Sequence, residues 1–178
     1  MIIGQNPTGT EVRRLLCANT TIASIGFRVC SSHLTRLATS AERSANRSQF
    51  LNLRDEINSR AYAGQALVLG ADLNRNSRDC SNTEDLWLLD DVYRGTFGGA
   101  SFNSRCAVNG QGPYYEADNT GTDAEYNEGT LENPLGLDPK VDYFFMNYQR
   151  FYGAYGADAT SSIYSDHDPL RTSFTVNG

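Results

Sequence analysis

Two histidines, His33 and His167, are the only imidazoles in a chain of 178 residues. Each falls at or just beyond the end of a segment that reads as a β-strand, and each has polar neighbours: Ser31, Ser32 and Thr35 around the first, Ser165, Asp166 and Asp168 around the second. A lone histidine is more often structural than catalytic, but two of them in polar company at strand ends point to a site. Asp72, Asn74 and Asp142 stand in similar positions, so carboxylates and an amide join the imidazoles. Other chemistries find no support. The sequence holds no Gly-x-Ser-x-Gly elbow, P-loop or dinucleotide fingerprint, which argues against serine hydrolases and nucleotide binding. Asp118-Asn-Thr-Gly-Thr-Asp123-Ala-Glu125 is rich in oxygen donors but lacks EF-hand spacing and reads as a solvated acidic loop. Asp72, Asn74 and Asn76 begin like an EF-hand, yet Ser77 stands where glycine is needed.

The elements that must position these residues alternate in type. Residues 12–19 and 26–34 read as two strands joined through Thr20–Ile25, with His33 near the end of the second. Thr39-Ser-Ala-Glu42 has the form of a capping box and opens a helix that carries Phe50, Leu53 and Ile57 on one face and stops near Gly64. Ala66–Leu69 is a continuous apolar run, as a strand buried on both faces requires; it ends at Gly70 and delivers Asp72 and Asn74 into a loop. Residues 84–93 suggest a short helix. The polar stretch from Gly95 to Pro139 shows no periodicity, a length of loop that is usually functional or poorly ordered. Val141–Met146 reads as another buried strand, and the alternation from Leu170 to Val176 as a half-buried one. Strands interleaved with helices and loops imply a single α/β (or α+β) layered domain over residues 1–178.

Composition narrows the setting. A hydrophobic share of 39% with 20% charged residues is that of an ordinary globular protein, and no apolar run approaches the roughly 20 residues a membrane span needs. The net charge of −6 opposes broad, tight binding to duplex DNA, because such proteins neutralise many phosphates with a basic face. Four cysteines, Cys17, Cys30, Cys80 and Cys106, lack the close spacing of a zinc site. A hairpin centred between Ala23 and Ser24 sets Cys17 opposite Cys30, where a disulfide could form, and Cys80 with Cys106 follows by elimination. The alternative is four reduced cysteines used as small core residues. Disulfides imply an oxidising, extracellular setting. The N-terminal residues MIIGQNPTGT show no signal-peptide pattern, so the expectation is either that a signal and more chain have been removed or that Met1 is not the native start. Asn19-Thr-Thr and Asn46-Arg-Ser fit glycosylation sequons.

Four segments in order carry a family resemblance. Val29-Cys-Ser-Ser-His33-Leu-Thr35 resembles the strand-borne histidine segment of the endonuclease/exonuclease/phosphatase superfamily. Leu69-Gly-Ala-Asp72-Leu-Asn74 is similar to its Gly-Asp-Phe-Asn motif, Lys140-Val-Asp142-Tyr-Phe-Phe to its Lys-Ile-Asp-Tyr-Ile-Phe strand, and Tyr164-Ser-Asp166-His167-Asp-Pro169 to its terminal Ser-Asp-His-x-Pro. The resemblance implies a deoxyribonuclease I-like sandwich of mixed β-sheets flanked by helices. It also implies a Mg2+-dependent phosphoesterase, nuclease or phosphatase, in which an activated water attacks in line; Mn2+ or Ca2+ are the alternative ions. Such hydrolysis requires an activated water, a cation to offset charge on the phosphoryl oxygens, and donors for the transition state. By resemblance, Asp72 orients or deprotonates the water, Asn74 hydrogen-bonds the phosphate or that water, and His33 and His167 face the phosphate. Asp142 holds the His167 ring, and Asp166 joins Asp72 as a metal ligand.

The family's early strands have no counterpart here, including the one that supplies a metal-binding glutamate. Glu11 is the only acid before His33 and lies in no family motif. The chain is therefore expected to be the later part of such a domain, with its N-terminal portion missing. The partner would be a phosphoester substrate, either a nucleic acid or a small phosphorylated or lipid molecule. The tyrosines between Tyr114 and Tyr126 could offer it aromatic faces, although packing is their commoner use. A monomer is expected. The competing expectation is a binding protein or inactive fragment that keeps the fold without the activity.

Overall fold

In the computed structural model, which describes residues 1–61, 65–75, 93–96, 114–116, 141–147, 149–152, 157–159, 167, 169–173 and 175–176, the chain begins with an edge strand, β1 (Ile2–Gln5). It pairs antiparallel with β2 (Val12–Ile22), and β2 with β3 (Ile25–His33), through a two-residue turn at Ala23-Ser24. The sequence suggested a looser connection through Thr20–Ile25. Instead the ladder continues to Ile22↔Ile25, because Thr20, Thr21, Ile22 and Ile25 are residues that favour strands. Both turn residues are forced to positive φ, 48° at Ala23 and 67° at Ser24, the signature of a type I′ hairpin whose twist matches its strands. Within this ladder Cys17 stands opposite Cys30, and the two are joined as a disulfide.

The helix α1 (Ser40–Ala61) starts as its capping box dictates. Thr39 Oγ1 accepts the Glu42 backbone N–H at 3.2 Å, and the Glu42 carboxylate accepts the Thr39 backbone N–H at 2.9 Å. Arg36 reinforces Glu42 with an ion pair at 2.9 Å, and the two bonds hold the Glu42 carboxyl below its usual range. Phe50, Leu53 and Ile57 are all buried, each contributing roughly 1.5–3 kcal/mol by burial. They pack on Ile3, Leu15, Leu67 and Leu69, which lie on one face of the sheet. Asn46 is fully buried on the same stripe, so it is not an accessible glycan acceptor, whereas Asn19 is exposed.

The strand β4 (Ala66–Asp72) is buried on both faces, as its apolar run requires, and continues through Gly70 to end on Asp72 itself. It lies parallel to β3 and antiparallel to β7 (Asp142–Asn147). Two further strands, β5 (Tyr93–Thr96) and β6 (Tyr114–Glu116), complete a seven-stranded mixed sheet in the order β1-β2-β3-β4-β7-β6-β5. Tyr93 thus heads a strand and does not close a helix, and the unpatterned polar stretch contributes a strand at Tyr114–Glu116; strands this short show no periodicity. The single terminal strand expected from Leu170 to Val176 is divided into β10 (Leu170–Thr172) and β11 (Thr175–Val176). They pair with β9 (Ala157–Ala159) and β8 (Phe151–Tyr152) respectively. Phe151, Leu170 and Val176 pack with Phe27, Val68 and Met146 on the sheet face away from the helix. Gly64, the helix suggested at residues 84–92, Cys80, Cys106 and Asp166 lie outside the described residues.

Replacing Ala23 with Asn and Ser24 with Gly should raise stability by about 1–2 kcal/mol, since both native residues occupy left-handed backbone that Asn and Gly adopt at lower cost. Urea denaturation of the double variant should show a higher midpoint with an unchanged slope.

Candidate active site

Strand pairing brings the site residues into one row. His33, the last residue of β3, is in register with Asp72, the last of β4, and Asp72 is in register with Asp142, the first of β7. Side chains at matched positions of neighbouring strands project to the same face, so one level of the sheet carries imidazole, carboxylate and carboxylate. The ladder holds this level together just beyond the strand ends. Leu34 N–H donates to the Asp72 carbonyl at 2.9 Å, and Leu73 N–H to the Val141 carbonyl at 2.9 Å.

Asp72 is central to the row. Its Oδ2 lies 3.1 Å from His33 Nε2, and its Oδ1 accepts the Asn74 backbone N–H at 2.8 Å. The second bond closes a turn of the kind aspartate side chains make with the amide two residues on. It fits the left-handed backbone of Asn74 (φ 52°), a conformation that asparagine tolerates. Asn74 Nδ2 donates to the Leu34 carbonyl at 3.0 Å, tying the loop after β4 to the residue that follows His33. His167, delivered from the chain's terminal segment, places Nδ1 2.8 Å from Asp142 Oδ2. A carboxylate on Nδ1 fixes the orientation of the ring and its tautomer.

The opening around these residues has two parts. One, of about 660 Å3, runs along the sheet face from His33, Asp72, Asp142 and His167 to Val29, Val68 and Phe144. The other, of about 370 Å3, is polar and joins His33, Asp72, Asn74 and His167 to Arg13, Arg36, Glu11 and Glu42. Glu11 is paired with Arg13 at 2.6 Å at this mouth. Five residues singled out in the sequence, His33, Asp72, Asn74, Asp142 and His167, therefore share one site. The geometry adds two things the sequence did not show: Arg13 and Arg36 at the rim, and the direction of the His33 ring, whose Nε2 faces Asp72.

Asp72 carries a side chain only 13% exposed, against 58% for His33. Burial raises its carboxyl above the ordinary range, and the Asp142 carboxylate opposite raises it further; the Asn74 amide and the two histidines offset only part. Asp72, Asp142 and His167 offer ligand atoms within 4.8 Å of one another. A divalent cation suits this set, because it would satisfy two carboxylates that otherwise repel at close range.

The electrostatics give a stability prediction with a definite sign. A carboxyl whose folded pKa is raised contributes most at low pH, and that contribution is lost as pH rises through the raised value. Without divalent cations, Asp72→Asn should therefore melt at or above the parent at pH 7–8, by up to about 1 kcal/mol. The difference should vanish or reverse as pH falls below the ordinary carboxylate range, which thermal melts across pH will show.

No family model matches the chain, and no curated protein sequence does. Solved structures do. An endonuclease/exonuclease/phosphatase from Beutenbergia cavernae superposes with a TM-score of 0.62 at 18% identity, covering 97% of this chain and 42% of its own. The APE2 catalytic domain of Xenopus laevis gives 0.66 at 13% identity, covering 92% and 55%. D. rerio TDP2, in complex with a single-strand DNA product, gives 0.58 at 16% identity, covering 100% and 66%. The chain thus spans between two fifths and two thirds of these structures. With its mixed sheet, its helix and this overlap, the chain has the α/β, deoxyribonuclease I-like fold of the endonuclease/exonuclease/phosphatase proteins.

Proposed function

We propose that this chain carries the phosphate-binding and acid–base half of a divalent-metal-dependent phosphoesterase that hydrolyses a phosphodiester or phosphomonoester. The observation that supports it most is the single row His33–Asp72–Asp142 with His167 bonded to its end, in a fold shared with D. rerio TDP2 in complex with a single-strand DNA product. In this reading Asp72 orients the attacking water and takes its proton. Burial and the facing Asp142 suit Asp72 to proton uptake, since both make the carboxylate more basic. His167, held through Nδ1 by Asp142, turns Nε2 toward a phosphoryl oxygen. Asn74 keeps one amide hydrogen on Leu34 and has a second for the phosphate or the water. His33 steadies Asp72 through Nε2 and adds a polar edge to the phosphate site.

Asp72, with Asp142 and His167 close by and Asp166 one residue before His167, would hold the cation. Bound there, the ion supplies charge neutralisation at the phosphoryl oxygens and acidifies water. Oxygen donors favour Mg2+, and the imidazole within reach also admits Mn2+. Among the described residues no glutamate stands in this group, and the chain spans only 42% to 66% of the matched structures. We therefore expect the metal-ligand glutamate strand to come from additional polypeptide. The same observation favours a second reading for these 178 residues alone: a phosphate-binding unit that does not turn over.

For substrate, nucleic acid comes first, because D. rerio TDP2 holds a single-strand DNA product on this fold. The net charge of −6 fits a site that grips one or two phosphates, assisted by a cation and by Arg13 and Arg36, better than one that tracks a long duplex. The Cys17–Cys30 disulfide is compatible with a secreted protein. Among the described residues no helix is long and apolar enough to cross a membrane.

A catalytically complete polypeptide containing this chain should hydrolyse a chromogenic phosphodiester only when Mg2+ or Mn2+ is added. His167→Ala should lower kcat by at least about a hundredfold, the usual scale for losing one donor to charge that develops in the transition state. Undiminished hydrolysis in excess chelator would refute the assignment.

A further inference from the structure

We propose that Asn46, on the helix and behind the sheet, is a positioning residue that sets His33 against Asp72, an inference that rests on the site assigned above. The buried stripe of α1 runs Asn46, Phe50, Leu53, Ile57, so an amide occupies a place where the pattern calls for an apolar side chain. Asn46 is 0% exposed. Its Nδ2 donates to the Thr35 carbonyl at 2.5 Å and to the Leu73 carbonyl at 3.0 Å. Thr35 lies two residues beyond His33, and Leu73 lies between Asp72 and Asn74. One amide therefore joins the two turns that carry the site, from the side opposite the substrate opening.

Both partners are carbonyl oxygens, so the group facing them must be the nitrogen. That assignment leaves Asn46 Oδ1 buried without a hydrogen-bond partner. An unmet buried acceptor costs stability, and what offsets it here is the donation to two carbonyls that an apolar side chain would leave unmet. A residue serving the core alone would not be asparagine. Gln49, one turn along, is the other buried polar residue of the helix, and it shows the contrast. It accepts the Thr35 backbone N–H at 2.8 Å and donates to Thr35 Oγ1 and to the Gln5 carbonyl, each at 2.9 Å. All of those contacts lie on the His33 side. Asn46 is the helix residue that spans both turns.

The consequence is geometric. Leu34 N–H to the Asp72 carbonyl and Asn74 Nδ2 to the Leu34 carbonyl join the same two turns from the strand ends. Asn46 adds a third tie further along the chain, which opposes their splaying apart. The 3.1 Å approach of His33 Nε2 to Asp72 Oδ2 depends on that separation. Misplacing a reacting group by a fraction of an ångström to one ångström slows catalysis far more than it weakens binding.

The test replaces Asn46 with leucine and follows both imidazoles by long-range 1H–15N spectroscopy at one fixed pH. The chain has only these two histidines, so each signal is assignable by single substitution. The Tm is expected to fall modestly, because the Thr35 and Leu73 carbonyls lose their donor. The His33 ring signals should move, while those of His167, anchored separately by Asp142, stay in place. In the hydrolytically competent polypeptide, kcat should fall about tenfold or more while KM changes less than twofold. Unmoved His33 signals overturn the proposal. Equal movement of both rings also overturns it, because that is what a purely structural role produces. If the leucine variant does not fold, Asn46→Ser, which keeps the space open and loses the reach, is judged by the same signals. Absence of hydrolysis in the parent itself would refute the assigned function, and the His33 spectrum would still decide the role of Asn46.

Discussion

The pairing register of β3, β4 and β7 is the constraint on which everything else depends. In a sheet the side-chain period is two, so a slip of one residue in either pairing would turn a site residue to the opposite face. The register that aligns His33, Asp72 and Asp142 also alternates Leu67, Leu69 and Ala71 toward the helix and Val68 toward the other face. Packing therefore fixes the chemistry. A slip that separated the acid from the imidazole would also expose the core. The type I′ turn and the disulfide across Cys17 and Cys30 secure β3 from its other side, where β2 is largely exposed and could otherwise shift.

The same alignment creates an electrostatic conflict within the site. Two carboxylates on facing strands, one of them largely buried, repel and desolvate each other. Folding tolerates this because Asn74 and the histidines offer partial compensation and because the hydrophobic layers on either side hold the strands in place. Conflict of this kind is common where function is placed, and a bound cation would turn the repulsion into attraction. It also accounts for the asymmetry of the site. His167 is held by the more exposed carboxylate, and burial leaves the carboxyl of Asp72, the less exposed one, above its ordinary range.

What could be read from the sequence was local or chemical. The hairpin register was legible because its centre and the two cysteines lie within one short segment, and the capping box because all its parts lie within four residues. The residue types at strand ends pointed to His33, Asp72, Asn74, Asp142 and His167 one at a time. That Asp142 stands directly opposite Asp72 depends on β7 pairing with β4 at a sequence separation of 70, a choice made by the whole sheet. Edge strand β1 was missed because Ile2–Gln5 offers one buried residue, Ile3, and therefore no alternation to detect. Asn46 stood out in the sequence only as part of a glycosylation sequon, and its place against two turns required knowing what lies beneath the helix.

The claim that this row is a cation and phosphate site can be tested directly with Mn2+ as a paramagnetic probe. Broadening by a bound Mn2+ ion falls off steeply with distance, and the two histidines flank the proposed position. Substoichiometric Mn2+ should broaden the ring protons of His33 and His167 together and ahead of the rest of the spectrum, and excess Mg2+ should reverse the effect. If neither ring is affected, or if the broadening concentrates elsewhere in the chain, the row does not hold a metal and the account fails.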